Sequence, residues 1–89
     1  MSAQENYGYG AGPITASATY VATEIQGVFC SNSTAGTLAV FDGTTASGAA
    51  LVATFTLIAG TFHRLPFKLR SGNVFLQIGG TTTITPAVS

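Results

Sequence analysis

Charge is the scarcest commodity in this sequence: Asp, Glu, Lys and Arg together make up 7% of it, where soluble domains carry about 25%. Three cations against three anions leave a formal net charge of zero at pH 7. That excludes the concentrated Lys/Arg face that binding to a phosphate backbone requires, so nucleic acid is not an expected partner. Cys30 is the single cysteine, which rules out an internal disulfide. His63, the one histidine, has only three carboxylates for company, a poor donor set for a metal, and neither metal nor cofactor is expected. No apolar run reaches the roughly eighteen residues of a membrane-spanning helix. The longest apolar-leaning stretch, "ALVATFTLIAG" (50–60), is interrupted by threonines, so a membrane is not an expected partner either. "MSAQENYGYG" lacks the basic region and apolar core of a secretory signal. Synthesis in a cytoplasm is expected, with Cys30 reduced and buried as a small hydrophobe.

What is present is apolar and small. The chain has 89 residues, 46% of them hydrophobic, enough for one domain and too few for two cores of ordinary size. Domains of this size commonly recruit a disulfide, a metal or a partner subunit. With the first two unexpected and few charges to keep copies apart, the expectation is a homo-oligomer.

Thr, Val, Phe and Tyr are abundant, eleven glycines punctuate the chain, and there is almost no Glu, Lys or Gln to feed a helix. Apolar residues nowhere recur at helical spacing over a long window, whereas short alternating runs are bounded by turn residues. The pattern predicts an all-β, single-domain antiparallel β-sandwich of jelly-roll type. Residues 1–13, rich in glycine and carrying Tyr7 and Tyr9, read as a flexible N-terminal arm, disordered in the free protein and ordered in an assembly. The sandwich domain is 14–89. Strands are predicted at 14–23, at 24–30 as its continuation or the following strand with Gly27 a candidate bulge or bend, at 37–42, 49–58, 62–69 and 74–78, and at 81–89 as the closing strand. Composition assigns 31–36 to a loop, 43–48 to a hairpin connection, 70–73 to a turn and Gly79–Gly80 to a break. Pro66 cannot donate to a ladder, so its strand belongs at an edge or carries a bulge.

Catalytic readings are weak. A hydrolase needs a nucleophile with a base in reach, and His63 in "FHRLPF" sits on a strand where an ordinary half-buried histidine is the simpler reading. Glu5, Glu24 and Asp42 are scattered over an arm, a strand start and a turn. "GYGAG" (8–12) has neither the preceding strand nor the following helix of a phosphate loop. "NST" (32–34) is a formal glycosylation sequon, but in a cytoplasmic product it is simply a loop.

One charge cluster stands out. Arg64, Lys68 and Arg70 sit at even offsets, so an unbroken strand over 62–70 puts them on one face, flanking Pro66, with His63, Leu65, Phe67 and Leu69 on the other. The first face is basic and the second is core. Such a patch suits attachment to acidic groups on a partner, setting orientation and on-rate more than affinity.

From Gly27 to Thr83 the succession "GVFCSNSTAGTLAVFDGTTASGAALVATFTLIAGTFHRLPFKLRSGNVFLQIGGTTT" resembles a small-protein pattern of tailed bacteriophages. A glycine precedes a hydrophobic strand, an "NST" and "AGTL" strand ends in "FD", and an "ASG" turn follows. A strand closing on "AGTF", a proline-bearing strand, an "SGN" turn and an "IGGT" close complete it. The resemblance is to the β-sandwich decoration, or cement, proteins of phage heads, with related versions in head fibres and tail parts. It carries over as architecture: Asp42, Gly43, Ser47, Gly48, Gly60, Ser71, Gly72, Gly79 and Gly80 match as turn positions and not as a site. It implies a structural, non-enzymatic protein that binds the major capsid protein on the outer surface of the virion and stabilises the shell. It also favours a trimer, since three-fold sites are plentiful on icosahedral heads. Tyr7 and Tyr9 in the arm, with Arg64, Lys68 and Arg70, are the candidate attachment residues. The alternative is a module of a head fibre or tail part that contacts the host surface. The absence of Trp weighs against a glycan site of that kind.

Overall fold

β3 (Glu24–Asp42) and β6 (Asn73–Val88) run antiparallel along nearly their whole lengths, from the rung joining Asp42 to Val74 to the rung joining Ile25 to Val88. Each carries two shorter strands on its other edge. β6 also pairs with β1 (Tyr9–Gly10) and β2 (Ala18–Val21), and β3 with β4 (Val52–Thr56) and β5 (Thr61–Lys68). Every pairing is antiparallel, and the six strands make one sheet. The computed structural model describes residues 9, 10 and 12–89, with the backbone alone for Tyr9 and Gly10. The described residues are all-β and contain no helix. Tyr9 and Gly10, within the expected arm, pair with Val88 and Ala87.

The strand chemistry follows the expected alternation where one face meets the core. Along β6, Val74, Leu76, Thr82, Ile84 and Pro86 are buried in turn while their neighbours are not, the period of two that a half-buried strand imposes. Along β5, Phe62, Arg64, Pro66 and Lys68 are exposed, whereas Leu65 is buried and Phe67 packs against the core. Buried residues from both ends of β3 and β6, among them Ile25, Val28, Leu38, Val40, Val74, Leu76 and Ile84, belong to a single cluster with Leu57, Leu65 and Leu69.

Two expected interruptions are absent. Residues 31–36, read as a loop, lie inside β3, where Asn32, Ser33 and Thr34 pair with Thr83, Thr82 and Thr81. Gly79 and Gly80, read as a break, lie inside β6. The expected strands 24–30 and 37–42 are therefore one, as are 74–78 and 81–89. The reason is physical: a run of Ser, Thr and Asn can stay in a ladder when its side chains face outward and its backbone finds a partner, and β-branched Thr favours that conformation. Elsewhere the expected strands are too long. The first contracts from 14–23 to Ala18–Val21 with a lone bridge from Ile14 to Ile84, and the fourth from 49–58 to Val52–Thr56.

The long ladder is kept curved by irregularities rather than by breaks. Its register shifts between Ile25 and Gly27, between Cys30 and Asn32, and between Thr34 and Thr37. At the last of these, Ala35 and Gly36 oppose Gly80 alone. Ala35 takes φ 55° and Gly80 φ 70°, and the Ser33 hydroxyl accepts a hydrogen bond from the Gly36 N–H at 3.1 Å. Such bulges bend a strand and increase its twist, which here lets the two ends of β3 and β6 share one core.

Candidate docking surface

Among the described residues the edge strand β5 pairs only with β3, and its proline explains how it tolerates that position. Ile25 pairs with Phe67 and Gly27 with Arg64, so β5 carries one residue more than β3 across this step, and Pro66 lies in the surplus. On the other side of β3, Ile25 pairs with Val88 and Gly27 with Ala87, so here β3 holds the surplus and Gln26 is the extra residue. Pro66 is thus both on an edge and in a bulge, the two settings in which a missing N–H costs no ladder bond. Two bulges on facing strands meet at Gln26.

Gly27 lets the sheet close over this point. A Cβ there would fall against the His63 carbonyl oxygen and 2.6 Å from Phe62 Cζ, so the Phe62 ring lies across the bare backbone of Gly27, an aromatic side chain covering a strand glycine. Phe62 also pairs directly with Phe29. Both rings remain on the surface, Phe29 42% and Phe62 48% exposed. An exposed aromatic pair is unusual on a free surface and ordinary at an interface.

Arg64 and Lys68 are exposed on the same face of β5 as Phe62, as their spacing predicts. Arg70 departs from the expected row. β5 ends at Lys68, and Arg70 lies in the following turn, where its backbone N–H donates to Asp42 Oδ2 at 2.8 Å. It does not line the recess that Arg64 and Lys68 share. Tyr7 lies outside the described residues, and of Tyr9 only the backbone is placed, against Val88.

That recess has a volume of about 200 Å³ and is lined by Glu24, Ile25 and Gln26 of β3 and by Arg64, Pro66, Phe67 and Lys68 of β5. Glu24 and Lys68 oppose each other in the ladder. Gln26 donates through Nε2 to Glu24 Oε1 and to the Ser89 hydroxyl, both at 2.9 Å. Its Oε1 is buried and accepts no hydrogen bond. Burying an amide oxygen without a partner costs about 1–3 kcal/mol, and among the described residues this is the one buried side-chain nitrogen or oxygen in that position. Sequence reasoning flagged Gly27 and Pro66 separately as bulge candidates but not Gln26. The signal was there in the nearness of Gln26 to Gly27, but the register that brings it level with Pro66 was not.

The residues weighed for chemistry are engaged elsewhere. His63 Nε2 accepts the Ile58 N–H at 3.0 Å, and its ring tilts against Phe55 with centroids 5.5 Å apart, so its lone pair holds the 57–60 turn. Cys30 is fully buried. Its thiol donates to the Asn32 carbonyl at 3.2 Å and lies 3.4 Å from the Thr82 hydroxyl. Asp42 accepts three hydrogen bonds, from the Ser71 hydroxyl and from the Ser71 and Arg70 N–H groups. These hold its carboxyl below the usual carboxylate range, the Ser71 hydroxyl contributing most. Among the described residues no three His, Cys, Asp or Glu side chains cluster as a metal site, and no helix is long and apolar enough to cross a membrane. Comparison of the chain with protein-family models, curated proteins and solved structures finds no match in any of the three.

Proposed function

We propose that this chain is a capsid decoration protein of a tailed-phage head, a structural protein that binds the major capsid protein on the outer surface of the virion through β5 and stabilises the shell. The observation that carries the reading is the outer face where β3 and β5 meet. Phe29 and Phe62 pair across the ladder, each nearly half exposed, and Arg64 and Lys68 flank them on the exposed face of the edge strand. An apolar centre with charges beside it is the anatomy of a protein interface. The resemblance of residues 27–83 to phage head decoration modules supplies the partner.

We further propose that the curved sheet is a two-layer sandwich. One core draws on both ends of β3 and β6, and the shortest extent of the Cα trace is 17 Å, close to what two layers about 10 Å apart occupy. A clamp that prefers the assembled shell over its dissociated subunits stabilises it by mass action, and many weak copies add up. A trimer fits three-fold sites on the shell, with the uncharged surface serving contacts between copies.

The test is the temperature at which virions release DNA with and without this protein. Earlier release from stripped virions, restored on adding the protein back, supports cementing. Equal retention of the genome refutes it and favours a module of a head fibre or tail part that contacts the host surface. Light scattering that finds a stable monomer at micromolar concentration would remove the trimer.

A further inference from the structure

We propose that copies of this chain meet edge to edge, β4 of one copy pairing antiparallel with β2 of the next, and that this pairing closes into a ring. The contact deepens the trimer proposed above and rests on that reading, though not on the partner of β5 being a capsid.

The row of strands that carries these edges is defined by its rungs. Ala18 pairs with Leu76, Leu76 with Val40 and Val40 with Val52, so the order is β2–β6–β3–β4. Among the described residues β2 and β4 have no strand on their outer sides. Two inward bonds show which main-chain groups face out: Ala22 donates its N–H to the Gly72 carbonyl and Leu57 donates its own to the Gly36 carbonyl. Successive residues of an antiparallel strand bond to opposite sides, so the N–H and C=O groups of Val21 and Thr56 point away from the sheet. Both residues are exposed.

The edges differ in how they are guarded. β5 carries Pro66 in a bulge, with exposed Arg64 and Lys68 on either side, the devices that keep an edge strand from pairing with another chain. β4 has a surplus residue between Val52 and Phe55, but residues 43–62 contain no charge and no proline, and neither do residues 14–23. Nothing on β2 or β4 repels an added strand.

A second copy is the occupant that answers both edges at once. Every pairing in the row is antiparallel, so β2 and β4 run in opposite directions. Rotation about an axis along the strands therefore sets β4 of one copy beside β2 of the next already antiparallel. That contact is heterologous, and a rotation that closes makes it a ring. A two-fold pairing of β4 with itself would leave β2 open. The bonds are main-chain bonds, as in strand addition generally, and two uncharged strands bring no like-charge cost to the pairing.

The test is the mass of the full chain by light scattering, for the parent and for V21P, T56P and V21S. Proline at Val21 or Thr56 removes an outward N–H and leaves the internal ladder its bonds. The expected result is a trimer for the parent, the mass of one chain for V21P and for T56P, and a trimer for V21S, which keeps the main chain. An equimolar mixture of V21P and T56P should form a dimer and nothing larger, through β4 of the V21P copy and β2 of the T56P copy. That dimer also shows that both variants fold, and a mixture that stays monomeric overturns the contact. A trimeric V21P beside a monomeric T56P overturns it in favour of β4 with β4. A trimer that tolerates both prolines overturns edge pairing and leaves the trimer standing. A monomeric parent removes the trimer and this contact together, and the virion experiment still decides cementing by itself.

Discussion

Asp42 and Ser71, distant in sequence, are joined by two hydrogen bonds: the serine hydroxyl donates to Oδ1 at 2.6 Å and its backbone N–H to the same oxygen at 3.0 Å. With the Arg70 N–H on Oδ2, one carboxylate fastens the turn after β5 to the end of β3. These bonds favour the ionised form, so the folded-state pKa lies below the ordinary carboxylate value of about 4. The stabilisation is therefore fully present above that ordinary value and is lost as pH falls through the lowered one. The variant D42N should melt at lower temperature than the parent at pH 6, and the gap should narrow steadily below about pH 4. Melting curves from pH 7 to pH 2 measure it, and a gap that does not change with pH would mean the carboxylate charge is irrelevant.

Gly80 and Ala35 test the bend in the long ladder. A Cβ on Gly80 would press on the Ala35 carbonyl while the backbone sits at φ 70°. G80A should cost at least about 2 kcal/mol, from a clash plus a left-handed conformation that L side chains resist. A35G removes an unfavourable φ of 55°, at the expense of a more flexible unfolded chain, and should lie within about 1 kcal/mol of the parent. Urea midpoints for the two variants give the comparison.

Leu76 is fully buried, whereas Val21 is 87% exposed. L76A should cost about 2–5 kcal/mol through lost burial and the cavity left behind. V21S should stay within about 0.5 kcal/mol, as surface changes do. Chemical denaturation distinguishes them. Similar losses at both positions would mean that Val21 is covered in solution, as it would be if a second copy packs on β2.

Cys30 should be inert to a thiol reagent in the folded protein. It is buried and its thiol is already bonded to the Asn32 carbonyl, which also accepts the Thr82 hydroxyl at 2.7 Å. Labelling with an aromatic disulfide should be slow in buffer and immediate in denaturant, and T82V should speed it by weakening the local pairing. Fast labelling of the native parent would contradict the burial.

The structure divides the three-cation cluster, and attachment should divide with it. If β5 is the docking strand proposed above, R64S/K68S should slow binding to shells and flatten its salt dependence, since both side chains stand exposed on that strand. R70S should change little, because Arg70 contributes its backbone N–H, which serine supplies equally. Association rates at two ionic strengths are the measurement, and an R70S effect equal to the double variant's would restore the unbroken basic row.

How much of this was legible beforehand varies from strand to strand. The inward and outward sides of β5, the edge or bulge at Pro66 and the bulge at Gly27 follow from alternation and from what proline and glycine cannot or need not do, all local physics. The Ser/Thr run at 31–36 misled because polarity reports where a side chain points and not whether its backbone is paired. Its partner, the threonine run at 81–83, lies far along the chain, and no local pattern announces that match. The same limit hid Gln26 and the Phe29 and Phe62 pair, each of which becomes a feature only through a cross-strand register. Arg70 was misplaced for a smaller reason: the strand stops two residues earlier than an unbroken alternation implies.

The pairing of β3 with β6 also governs how the protein reaches this state. Even the nearest rung, Asp42 with Val74, encloses β4 and β5, and among the described residues β6 provides the only partner for β2. Most of the ladder therefore waits on the closure of a long loop, whose entropy must be met before the contacts that reward it exist. Folding is expected in the slow range of all-β domains, milliseconds to seconds. The hairpin of β3 with β4 is the natural early structure. Until β6 arrives, the other edge of β3 is bare for its full length, and that interval rather than the native surface is when the chain is most exposed to pairing with another copy of itself.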